Sequence, residues 1–217
     1  MLFPQVDIAV SRWFADADGR FPLAAHPGLQ TLRLFNDGIM IAGLAAAAAL
    51  LVRAMWRPMP VRPRDALLPL LTYALGPGLL VNLLLKEVVG RARPRDIVEF
   101  GGDHLFTTVW EISSACRSNC SFTSGEAASA MAMLSLLALV PVGLPRLRRG
   151  LAVVLWLAAG LFAANRVVFG AHFLSDTLLS MLLVVLVMRI LRRVLDGRTG
   201  ERFDRLFQHA SAAGRHQ

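Results

Sequence analysis

The sequence predicts an all-α, polytopic membrane bundle, with five transmembrane helices, an N-terminal segment in the membrane interface and a polar site at the outer face. Three observations predict it. Hydrophobic residues make up 55% of the 217 residues, and mean hydropathy is +0.54. Apolar runs near the ~20 residues needed to cross a bilayer recur along the chain. Arginines gather in alternate connections between those runs, as the positive-inside rule requires. The net charge of +8 and pI near 11.2 do not mark a nucleic-acid binder, because the arginines sit in short loops rather than on one soluble face. The expected partners are the membrane and an anionic ligand at its surface; the sequence carries no signal for oligomeric state.

Taken in order, residues 1–36 interleave Leu2, Phe3, Val6, Ile8, Val10, Trp13 and Phe14 with Asp7, Arg12, Asp16 and Asp18. That pattern suits a short helix lying in the interface rather than one that spans, and it lacks the basic start and apolar core of a signal peptide. Spans are read at about 37–56, 66–86, 123–143, 150–166 and 172–194, so that 37–194 is the membrane domain and 195–217 a basic tail. Arg53, Arg57, Arg62 and Arg64 crowd the first connection, and Arg146, Arg148 and Arg149 the third. Arg189, Arg192, Arg193, Arg198, Arg202 and Arg205 mark the C-terminal end. These regions are read as cytoplasmic, which puts 87–122 and 167–171 outside.

The outer connections hold the residues with chemistry to offer. The chain's one lysine, Lys86, opens a stretch that ends in Arg93-Pro94, whereas 22 of the 23 basic residues are arginine. Thr123-Ser124-Gly125-Glu126 begins an apolar helix, and Asn165-Arg166 is followed by His172 and Asp176. Arginines kept on the side that topology disfavours point to an anionic ligand: Lys86, Arg93 and Arg166 supply three fixed cations. Arg91 and Arg95 are evenly balanced between ligand contact and ion pairing. Ser124 and Gly125 add a hydroxyl and an approachable N–H at a helix start, where the dipole favours an anion. Together they read as a phosphate cradle.

His172 and Asp176 stand four residues apart and on a helix would share a face, letting the carboxylate fix the imidazole tautomer of a nucleophile. A metal held by Glu126, His172 and Asp176 is disfavoured by the cations around them. Cys116 and Cys120 flank a short loop that a disulfide can close in an oxidising compartment; two reduced thiols are the alternative.

In the order and spacing of Lys86, Arg93-Pro94, Ser124-Gly125, Arg166, His172 and Asp176, residues 86–176 resemble the signature of the type 2 phosphatidate phosphatase superfamily. These are integral-membrane lipid phosphatases related to vanadium haloperoxidases. The resemblance implies a bundle with one helix beyond the five read here, which a start placed too far downstream would explain. It also implies a metal-free, cofactor-free phosphatase of a bacterial inner membrane, with its site facing the periplasm, acting through a phosphohistidine on His172 with Asp176 in support. Lipid A phosphates, undecaprenyl pyrophosphate, phosphatidylglycerol phosphate and phosphatidate are the implied substrates. A lipid-to-lipid phosphotransferase and a non-catalytic phospholipid-binding relative are the rival readings.

One departure stands out. The family usually carries histidine, as proton donor to the leaving oxygen, where this chain has Glu126. A catalytic Glu126 is expected to be protonated by partial burial and neighbouring negative charge. In the alternative reading Glu126 orients Lys86, Arg166 or water.

Overall fold

The computed structural model describes residues 4–57, 59, 61–117 and 120–213, whose regular elements are all helical, with no strand among the described residues. Leu2 and Phe3 of the N-terminal pattern, and residues 214–217 of the tail, lie outside this description. The elements are α1 (Gln5–Arg12), α2 (Pro27–Ala54) and α3 (Pro63–Tyr73), which runs on through a π-helical stretch (Ala74–Leu85) into α4 (Lys86–Val89). There follow α5 (Gly125–Ala132) with a 3-10 continuation (Met133–Leu139), α6 (Pro145–Val168), α7 (Leu174–Asp196) and α8 (Arg198–Ala213).

Among the described residues, three segments are long and apolar enough to cross a membrane: Pro27–Ala54, Pro63–Asp96 and Pro145–Val168. Their outward faces, such as Val153, Val154, Leu157 and Leu161 of α6, are exposed and suited to lipid. The third expected span instead forms a shorter helical unit, Gly125–Leu139. It works as a central post. Ala127, Ala128, Ala130 and Met131 are at most 1% exposed, and these small side chains let α6, α7 and the π-helical stretch close around α5. A core of Val81, Ala128, Met131, Phe162 and Val184 ties the four together.

The π-helical stretch follows from its sequence. Pro77, with no N–H to give, sits inside a helix between Gly76 and Gly78, and the wider turn accommodates its ring. Asn82 donates its side-chain N–H to the Pro77 carbonyl at 2.9 Å, so the same device that repairs the helix turns Asn82 towards the site.

The boundaries at both ends differ from the sequence reading. The first span starts at Pro27, not near residue 37: proline suits the first helical turn, and Arg33, Asn36 and Asp37, which interrupt the apolar run, lie within α2. The segment before it does more than rest in the interface. Ile8, Phe14 and Phe21 pack with Ile97, Phe100, Phe106 and Phe173 as a second small core over one end of the bundle. The tail folds back as α8, where Asp204 pairs with Arg64 at 3.1 Å; beside it Asp65 pairs with Arg192 at 2.7 Å.

Arg91 ties this cap to the bundle. It is wholly buried, with Nη1 donating to Asp176 at 2.5 Å and to Ser175 at 3.0 Å, Nη2 to Asp7 of α1 at 2.9 Å, and Nε to the Thr107 carbonyl at 2.8 Å. Its guanidinium also lies over the Phe173 ring, 4.1 Å from the centroid. Of the two roles open to Arg91, the structure takes ion pairing. Arg91→Met strands the Asp7 and Asp176 carboxylates in the interior, and breaking a buried pair in this way costs about 3–5 kcal/mol. We expect a marked loss of thermal stability in detergent, with a smaller loss for Asp7→Asn; an unchanged unfolding temperature for Arg91→Met would overturn this account.

Candidate active site

At the capped end the helices leave a cavity of about 490 Å³, lined by Arg33, Lys86, Arg93, Arg95, Arg166, Glu126 and His172 among others. Five cationic side chains face one carboxylate there, a balance that favours an anion with several charges.

Each wall has a local cause. Lys86 sits on the last turn of the long helix, which ends at Gly90 with φ +61°; a side chain there would meet the Ser113 carbonyl. From Gly90 the chain is clipped to the loop that carries the cysteines. Ser113 N–H donates to Val89 O at 2.8 Å, Cys116 N–H to Gly90 O at 3.1 Å, and Ser121 N–H to Arg91 O at 2.9 Å. Cys116 and Cys120 are joined by a disulfide with their Cα atoms 5.5 Å apart.

That loop delivers Ser121 to the site. Its carbonyl accepts from His172 Nδ1 at 2.6 Å, and a carbonyl only accepts, so Nδ1 carries the proton and Nε2 keeps its lone pair. Burial, reinforced by Arg166 and Lys86, pushes the His172 imidazolium equilibrium well below the usual value of about 6.5 and keeps the ring neutral. The arrangement is that of a nucleophile: Nδ1–H anchored, Nε2 unprotonated, the ring lining the cavity.

Asp176 reaches this ring indirectly. His172 precedes α7, which starts at Leu174, so the helical four-residue spacing does not apply and the two side chains do not pair. Asp176 instead accepts from Ser121 Oγ at 2.5 Å, Phe173 N–H at 3.0 Å and Arg91. It holds the residue that holds the histidine. Glu126 and Asp176 thus serve separate partners, and among the described residues no group of His, Cys, Asp or Glu is placed to hold a metal ion.

In the second block, Ser124 is fully buried and caps α5, accepting from Ala127 N–H at 3.3 Å. Its hydroxyl is thus engaged in the cap, and Ser124 itself is not among the residues that line the cavity. Gly125 does line the cavity, and a Cβ there would collide with the Asn82 side chain. Glu126 bridges two guanidinium groups, accepting from Arg33 Nε at 2.9 Å and lying 3.4 Å from Arg166 Nε. Among the described residues, Glu126 is the one acidic side chain on the cavity wall.

Arg166 is 6% exposed; its Nε meets only the Glu126 carboxylate, at 3.4 Å, and its Nη1 has no hydrogen-bond partner. A buried guanidinium with an unanswered donor on a cavity wall can receive an oxyanion. Arg93 and Arg95 also line the cavity.

Sequence reading missed Arg33, Asn82 and Ser121. Arg33 was hidden by assigning its stretch to an interfacial segment, Asn82 by the apolar run around it, and Ser121 by having no distinguishing signal beyond its place after Cys120.

A model of the PAP2 superfamily matches residues 66–199. A protein of Rhizobium leguminosarum named lipid A 4'-phosphatase is 42% identical over 127 residues, 58% of this chain and 53% of its own. One so named in Rhizobium etli is 41% identical over 124 residues, 57% of this chain and 47% of its own. A third, in Francisella tularensis subsp. novicida, is 36% identical over 102 residues, 47% of this chain and 45% of its own. The chain spans about half the length of these curated relatives. No solved structure gives a significant match.

Inorganic phosphate is expected to raise the unfolding temperature of the detergent-solubilised protein, since a ligand bound only by the native state stabilises it by about 2.7 kcal/mol at one hundred times its Kd. Arg166→Gln should abolish the rise. A rise of equal size in that variant would remove Arg166 from the anion site.

Proposed function

The chain belongs to the PAP2 superfamily, and from that premise we propose that it is a membrane lipid phosphatase that removes a phosphate from a lipid headgroup by way of a phosphohistidine on His172. One observation carries the reading: His172, held neutral with Nε2 unprotonated, shares a cavity with the buried guanidinium of Arg166, whose Nη1 has no partner. A nucleophile and an oxyanion receptor on one wall are what acyl or phosphoryl transfer through a covalent intermediate requires.

The phosphate is bound by Lys86, Arg93 and Arg166, with the first N–H groups of α5 at Gly125 and Glu126 adding the helix dipole. Nε2 of His172 attacks phosphorus, the bond to the lipid oxygen breaks, and the lipid leaves. Water then attacks the phosphohistidine, giving inorganic phosphate and restoring the neutral ring. Proton transfer within the His172 ring is restricted by the Ser121 carbonyl, so positive charge that develops on the imidazole is stabilised through Nδ1–H.

Glu126 acts in this reading as a carboxylate that orients Arg33 and Arg166, not as a proton donor. The charge on the departing oxygen is met by guanidinium groups and solvent. The site lies at the end of the bundle opposite the arginines Arg62, Arg64 and Arg192, which under the positive-inside rule supports a site on the non-cytoplasmic side, read here as the periplasmic face of a bacterial inner membrane. The names of the relatives make a lipid A phosphate the first substrate to try, ahead of undecaprenyl pyrophosphate, phosphatidylglycerol phosphate and phosphatidate.

The test is free-phosphate release from these four lipids by the purified protein. Release that His172→Ala lowers by at least 10³-fold is expected, with Glu126→Gln keeping measurable turnover. Label passing to a second lipid with no free phosphate would instead establish a transferase. The neutral ring also sets the pH dependence: because its equilibrium is shifted down, the nucleophile stays unprotonated as pH falls through 6.5. We expect kcat to show no histidine-like loss between pH 7.5 and 6, and a loss centred at or above 6.5 would show that the ring is not held neutral.

A further inference from the structure

A second cavity of about 510 Å³ adjoins the first, sharing Ala24, Arg95 and Phe169 with it. The reaction described above makes no use of it. Its wall is a built structure: Asp16 Oδ1 accepts from Asp18 N–H at 3.0 Å and Arg20 N–H at 2.8 Å, and Asp16 N–H donates to Arg20 O at 2.8 Å. Gly19, at φ +77°, lets that turn press on the Phe100 backbone, where a side chain would collide. On the far side, Arg95 N–H donates to Gly170 O at 3.2 Å, joining the two walls of the shared border.

The lining differs in kind from that of the catalytic cavity. Arg20 and Arg95 are balanced here by Asp18 and Asp96, and Phe100 and Phe169 supply apolar faces. Phe21 meets Phe100 edge to face, with centroids 5.4 Å apart, which fixes the ring. An anion gains little in such a place, because each arginine has a carboxylate in the same wall. Acyl chains find little apolar wall beside four charged side chains. A polyhydroxylated ring suits all of them: carboxylates accept from hydroxyls, guanidinium groups donate to them, and the C–H faces of the ring rest on phenylalanine. The volume lies within the ~300–1,000 Å³ of small-molecule sites.

We propose that this second cavity is a subsite for the sugar ring of a phosphorylated glycolipid, seated there while its phosphate occupies the catalytic cavity. The proposal rests on the phosphatase reading and narrows it, since a phosphatidate or a polyprenyl pyrophosphate has no ring to place. It also gives the N-terminal cap a task, because residues 18–24 form one wall.

The experiment compares a lipid bearing a phosphorylated disaccharide with phosphatidate, using wild type, Asp18→Ala and Arg20→Ala. A lost hydrogen bond to a charged group is worth about 1.5–3 kcal/mol, so kcat/KM on the sugar-bearing lipid should fall by ~10- to 100-fold in each variant, mainly through KM. Turnover of phosphatidate should stay unchanged and doubles as the control for folding. Equal losses on both lipids, no loss on either, or a wild-type preference for phosphatidate would overturn the subsite. If wild type releases phosphate from neither lipid, the phosphatase reading fails, and binding of the dephosphorylated disaccharide lipid decides the subsite alone. Weaker binding by the variants would uphold it, and equal binding would overturn it.

Discussion

The buried charge of Arg91 is the constraint from which the active end of this protein is organised. A guanidinium with no access to water must be answered on every side, and the answers come from three separated parts of the chain: Asp7 in α1, the Thr107 carbonyl, and Ser175 and Asp176 at the start of α7. An ion pair of this kind adds little net stability by comparison with well-packed apolar residues, but removing one partner is severe. Its effect is therefore to specify position. The cap, the outer loop and α7 share a single arrangement in which all its donors are satisfied, and Asp176, fixed there, in turn fixes Ser121 and through it His172.

The helices beneath use irregularity for the same end. Pro77 forces a π-helical stretch whose repair turns Asn82 to the cavity. The short central helix α5 stops where its first turn faces the cations, and neighbours cover its backbone, so it need not match the thickness of a bilayer. Site residues come from α2, α4, the outer loop, α5, α6 and the turn before α7, and none of these elements carries enough of them to act alone.

Much of this was legible in the sequence, for identifiable reasons. The hydropathy of the long runs and the arginine bias encode the bundle directly, because the bilayer imposes length and side. The cations Lys86, Arg93 and Arg166 were readable because charge beside an apolar run on the disfavoured side needs a cause. What was not legible depends on tertiary packing. Ser124, read as a phosphate contact, also caps a helix; Asp176, read as the partner of His172, bonds Arg91 and Ser121, because the helix starts two residues later than the spacing argument assumed. Arg33 was obscured by its own polarity, which broke the apolar pattern of α2 at the place where that helix lines the cavity.

Glu126, set between Arg33 and Arg166, means that the cavity is never an empty field of positive charge. In the reading proposed above, in which Glu126 acts as a carboxylate, two guanidinium groups of the cavity already have a tethered partner at a fixed local concentration. Under that reading a substrate phosphate enters by exchange, displacing the carboxylate from part of the guanidinium surface. A monoanion from the medium offers the arginines nothing the carboxylate does not. A phosphate dianion, with more charge and more acceptor oxygens, does, and the proposed site would thereby have a threshold of valence in addition to a preference of sign.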